Sequence, residues 1–126
     1  RFPRALDLLG SCYYDGFGVE QDYRLAADYY AQAAALDYLP ALCNLGLCYE
    51  LGYGVERDPA QAVAYYRKAA RAGFAQAQCN LAVCCLNGTG TDRDPVSAVR
   101  LLRAACRSDH PCDRAARPLP AAGHRL

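Results

Sequence analysis

Apolar residues recur at three- and four-residue steps along most of the chain, and the arrangement comes round three times. Ala5, Leu8, Leu9, Cys12 and Tyr13 form the first set, Ala41, Leu45, Cys48 and Tyr49 the second, and Ala77, Leu81, Cys84 and Cys85 the third. That spacing puts each set on one face of a helix with 3.6 residues per turn. After each comes another helical set, typified by Ala26, Tyr29, Tyr30 and Ala33. The pattern predicts three pairs of helices.

The pairs are copies of one unit. Leu9-Gly10-Ser11-Cys12-Tyr13 aligns with Leu45-Gly46-Leu47-Cys48-Tyr49 and with Leu81-Ala82-Val83-Cys84-Cys85, at an offset of 36 residues each time. Gly16-Phe17-Gly18-Val19, Gly52-Tyr53-Gly54-Val55 and Gly88-Thr89-Gly90-Thr91 keep the register, as do Asp22, Asp58 and Asp94. Asp58 and Asp94 precede prolines, which predicts an N-cap acceptor followed by a residue suited to the first helical position. Gly10, Gly46 and Ala82 fall mid-helix, where glycine costs about 1 kcal/mol relative to alanine. Small residues there predict a neighbouring helix at close range. The Gly-x-Gly segments read as tight turns, since no strand precedes them and no Gly-Lys-Ser/Thr follows.

These residues also carry a family resemblance. Leu45-Gly46-x-x-Tyr49-x-x-Gly52-x-Gly54-Val55-x-x-Asp58, followed by Ala62-x-x-Tyr65-Tyr66-x-Lys68-Ala69-Ala70-x-x-Gly73, resembles the Sel1-like repeat, a relative of the tetratricopeptide repeat. It covers roughly residues 4–108 and weakens in the third unit, where Ala82, Cys85, Leu101 and Leu102 replace the glycine and the three tyrosines. The resemblance implies an all-α, right-handed α/α solenoid. Its domain spans 1–108, in units of about 4–39, 40–75 and 76–108. Residues 109–126, with Pro111, Pro118 and Pro120, are expected to form a flexible tail. The first residues already belong to a helical pattern and no Met precedes them, so the chain is expected to be part of a longer one.

Family members are interaction scaffolds that bind partners along the inner curve, and they share no catalytic residues. The resemblance therefore implies a protein partner. The first helices would line that curve, with Asp7, Ser11 and Tyr14, then Cys43, Asn44, Leu47 and Glu50, then Cys79, Asn80, Val83 and Leu86. Exposed Leu47, Val83 and Leu86 would favour an apolar or helical partner segment. No Lys or Arg lies in the second or third of these helices, which argues against a clamp for acidic peptides. The bland alternative is that these side chains complete the packing between repeats. Tyr14 and Tyr53 are the tyrosines expected at the surface.

Eight cysteines open a rival reading, a redox- or metal-responsive module, secreted or not. Cys12, Cys48 and Cys84 share one core position, where free thiols pack as small hydrophobes. A cysteine-rich branch of the family ties paired helices together by disulfides. Cys106 matches one partner of that bond, but Gln78 stands where the other belongs. Cys106, His110 and Cys112 have poor spacing for zinc. His110 and His124 are the only histidines available as bases, and both fall in or beside the expected tail. The expectation is thus no catalytic residue, no metal and no cofactor, in a reducing compartment such as cytosol or mitochondrion. Asn87-Gly88-Thr89 is a formal glycosylation sequon at a position where helix ends favour such residues.

Charge adds little. The net charge of +1 gives no pull toward nucleic acid, although residues from 100 onward carry six Arg against two Asp. No run approaches the about 18 apolar residues of a membrane helix.

Overall fold

The computed structural model describes residues 2–107; the expected tail, with His110, Cys112 and His124, lies outside them. Six helices fill the described chain and no strand occurs in it: α1 (Pro3–Asp15), α2 (Tyr23–Ala34), α3 (Leu39–Leu51), α4 (Pro59–Arg71), α5 (Ala75–Asn87) and α6 (Pro95–Arg107). Each first helix packs on its own second helix, and α2 and α4 also pack on the first helix of the next unit. The result is a three-unit solenoid.

One set of local devices shapes every unit. The first helices end on glycines in the left-handed region, Gly16, Gly52 and Gly88, with φ of 74°, 73° and 72°. The side chain at the loop's end then reaches back to a carbonyl left open by the helix terminus. Gln21 donates to the Tyr14 carbonyl, Arg57 to that of Glu50 and Arg93 to that of Leu86, at 2.9, 3.0 and 3.1 Å. The aspartates follow as N-caps: Asp22 accepts from the Arg24 and Leu25 amides, Asp58 from Gln61 and Asp94 from Ser97.

The mid-helix glycines meet the expected neighbour. A Cβ on Gly10 would stand 2.8 Å from the Tyr30 ring, and one on Gly46 would stand 2.7 Å from the Tyr66 ring. Both tyrosines are fully buried. Gly54 serves a second approach, between units: a Cβ there would collide with the Tyr23 carbonyl, and its φ is 78°. Gly90 presses on the Pro59 carbonyl in the same way, whereas Gly18 faces open space.

That difference makes the first unit the outermost of the described residues and corrects part of the expected core. Ala5, Leu8 and Leu9 are exposed, and Cys12 and Tyr13 only half-buried, although their equivalents Ala41, Leu45 and Cys48 are buried. These positions repeat in sequence; among the described residues no second helix stands upstream of α1 to cover it. Tyr14 and Tyr53 also depart from expectation. Both are half-buried, within an aromatic cluster in which Tyr53 stacks on Tyr23 at 4.5 Å and Tyr14 meets Tyr23 edge-on at 5.2 Å.

Candidate functional site on the first-helix face

α1, α3 and α5 stand side by side, so residues projecting from them away from the second helices share one face. The structure divides the eleven candidates. Ser11, Tyr14, Glu50 and Cys79 are half-buried, and Val83 and Leu86 are 37% and 40% exposed. Asp7, Cys43, Asn44, Leu47 and Asn80 are buried.

Leu47 is the main correction. Expected at the surface with Val83 and Leu86, it is 1% exposed: α3 is the middle first helix, in side-chain contact with α1 through Asn44 and Asp7 and with α5 through Glu50 and Cys84. Its equivalents Ser11 and Val83 lie on helices with only one such neighbour. Asp7 and Asn44 serve packing too, since the Asn44 side-chain amide donates to Asp7 Oδ1 at 3.0 Å and links α1 to α3 inside the stack. Asn80 repeats Asn44, but its upstream counterpart is Cys43 instead of an acid. Its Nδ2 is buried without a hydrogen-bond partner, while its Oδ1 accepts from Gln76 at 3.0 Å.

Tyr30 and Tyr66 thread their phenols through to this face. Tyr30 is hydrogen-bonded to Ser11 at 3.0 Å, and Tyr66 donates to Glu50 Oε1 at 2.9 Å. Burial first, and the adjacent Glu50 carboxylate second, hold the Tyr66 hydroxyl well above the usual phenol range. Glu50 Oε1 also lies 4.0 Å from Cys84 Sγ, across the step from the second unit to the third. Burial, then Glu50 and Cys85, push the Cys84 thiol up to about 12. In the third unit Leu102 replaces the tyrosine and no phenol arrives. The face therefore changes character along the stack, from Ser11, Tyr14 and Glu50 to bare Val83 and Leu86.

Cys48 and Cys84 are buried as their shared position predicts, whereas Cys12, at the edge, is half-exposed. Among the described residues no disulfide joins the cysteines, and no three His, Cys, Asp or Glu side chains gather as a metal site would require. Among them, too, no helix is long and apolar enough to cross a membrane.

The Sel1 repeat family profile matches the chain at residues 3–38, 39–74 and 75–110. Among solved structures, a Sel1 repeat protein from Oxalobacter formigenes shares 35% identity at a TM-score of 0.79, over 90% of this chain and 46% of its own. The protective antigen c5321, present in uropathogenic Escherichia coli strains and displaying an SLR fold, shares 34% at 0.81, over 86% and 23%. This chain thus spans less than half of either. Helicobacter pylori cysteine rich protein B, 24% identical at a TM-score of 0.70 over 86% of this chain and 83% of its own, shares the fold. No curated protein matches the chain.

Proposed function

The chain belongs to the Sel1-repeat family, and from that premise we propose that it holds a partner protein on the first-helix face, gripping an apolar pair from a helical segment with Val83 and Leu86. Sel1-repeat proteins are generally protein–protein interaction scaffolds, and the fold is typically non-catalytic.

The observation that supports this reading is the exposure of Val83 and Leu86, one turn apart on α5, where the intervening Cys84 has its Sγ 4.0 Å from the Glu50 carboxylate. Two apolar side chains bordered by a carboxylate suit an amphipathic helix, whose apolar stripe would cover them. Ser11, Tyr14 and Cys79 would form the rest of the contact. Asp7, Cys43, Asn44, Leu47 and Asn80 support that surface from beneath and do not reach a partner.

A displayed library of random peptides, selected on the whole chain, tests the assignment. Selected peptides should lose at least about tenfold in affinity against Val83→Glu/Leu86→Glu, since charging a central apolar anchor removes its contribution. Both side chains face water, so circular dichroism should show an unchanged helix content. Equal affinity for the two proteins would remove the contact from this face.

A further inference from the structure

A cavity of about 580 Å³ opens between α4, α5 and α6, on the second-helix side of the stack. Leu81, Cys85 and Leu101 line its apolar part, and Arg67, Arg71 and Arg100 stand around it. The repeat explains the room there. Positions 85 and 101 correspond to Tyr49 and Tyr65, whose rings stack at 5.7 Å and 17°, as Tyr13 and Tyr29 do at 5.7 Å and 14°. The third unit keeps the backbone and omits both rings. A bridge over the same region is missing too: Lys68 reaches Asp37 at 2.9 Å, but their equivalents are Ala104 and Gly73.

The surroundings indicate what fits. The volume lies within the roughly 300–1,000 Å³ of small-molecule sites. Burial, then the nearby Asp94, raise the Cys85 thiol, so it lines the cavity as a neutral, apolar group. Among the described residues none of the three guanidinium groups is ion-paired. Asp92 and Asp94 also border the cavity; Asp94 accepts from the Ser97 amide at 3.1 Å and hydroxyl at 2.7 Å, and these bonds first, with the Arg100 charge adding to them, hold its carboxyl below the usual range.

We infer that this cavity binds an aromatic carboxylate, its ring in the space left by the missing tyrosine pair and its carboxylate against Arg67, Arg71 and Arg100. Two independent features carry the assignment. The earlier units show that the same backbone accommodates aromatic rings at this position, and the arginines supply forked donors that match a carboxylate. Arginine over a ring face adds a cation–π attraction. The site is separate from the first-helix face and stands or falls apart from it.

The test titrates the whole chain with hydroxyphenylpropionate, with tyramine as its cationic counterpart, and with a short peptide ending in a free tyrosine, followed by amide NMR shifts. The expected result is movement of the Leu81, Cys85 and Leu101 amides with either carboxylate, and at least about tenfold weaker binding of tyramine, the loss expected when a paired charge is reversed. Tighter binding of the peptide than of the free acid identifies the source as another chain's C-terminus; the reverse identifies a small molecule. Cys85→Tyr/Leu101→Tyr should rebuild the stack, raise Tm and abolish binding. Should that variant misfold, Arg67→Gln/Arg71→Gln decides alone, and it should weaken carboxylate binding while leaving Tm unchanged. Equal binding of tyramine, binding undiminished in either folded variant, or no shift with either carboxylate would overturn the assignment.

Discussion

Where the second unit meets the first, its own Tyr49 and Tyr65 stack, Tyr53 lies on Tyr23, and Lys68 reaches back to Asp37. Where the third meets the second, Cys85, Leu101, Thr89 and Ala104 occupy the equivalent positions, and a cavity opens beside Arg67 and Arg71. The helices, turns and caps around the two junctions are alike. A repeat backbone is thus held by its caps, its glycines and its small-residue seams, and the larger side chains at each junction can be exchanged without losing the fold. What the exchange alters is whether a junction is packed or receptive.

The hardest way to break the comparison is to hollow the first junction as the second is hollowed. Tyr49→Cys/Tyr65→Leu should cost about 3–4 kcal/mol in urea unfolding, the scale of large-to-small aromatic replacements. A cost below about 1 kcal/mol would mean that the stack contributes little and that the cavity is not its absence. Leu47→Ala should cost about 3 kcal/mol, since that side chain is buried, while Val83→Ala at the equivalent position should stay within about 0.5 kcal/mol.

The asparagines sharpen the contrast further. Asn44→Leu removes the donor to the buried Asp7 and should cost about 2 kcal/mol. Asn80→Leu should cost less, about 0.5–1 kcal/mol, because its Nδ2 has no partner to lose and only the half-buried Gln76 loses an acceptor.

Alkaline pH reads the second junction through Cys84. The unfolded thiol loses its proton near 9.0, the folded one only near about 12. Above pH 9 the unfolded chain therefore holds fewer protons, and stability should fall by at most about 1.4 kcal/mol per unit as pH rises toward 12, with no such slope well below 9. Tyr66, also raised, adds a fall of the same sign above pH 10. Cys84→Ala should flatten the first part of the curve. The smallest effect belongs to the bridge at the first junction: Lys68 and Asp37 are 61% and 73% exposed, so Lys68→Ala should change stability by about 0.5 kcal/mol or less.

Much of the fold was legible because its signals are local. An apolar residue every third or fourth position, an aspartate ahead of a helix and a Gly-x-Gly after one each act within a few residues. The close approach behind Gly10 and Gly46 was legible as well, because no other role repays a mid-helix glycine. The candidate site was less so. Leu47 and Val83 occupy the same position in the repeat and look alike in sequence, yet one is covered and the other bare. Asp7, a charged residue, reads as surface; only Asn44, 37 residues on, shows why it is inside. The weak third unit was legible as a change of residues, Cys85 and Leu101 for two tyrosines, but residue types alone do not reveal that nothing refills the volume.

The sequence by itself therefore determined the unit, its length, its two helices and their ends, because hydrogen bonds and backbone torsions are settled by neighbours along the chain. Tertiary structure decided which copy of each position is buried, which phenol finds Ser11 or Glu50, and where a cavity lies. Those outcomes depend on what the units on either side place against a residue, and a repeating sequence offers the same residue a different neighbour at each step of the stack.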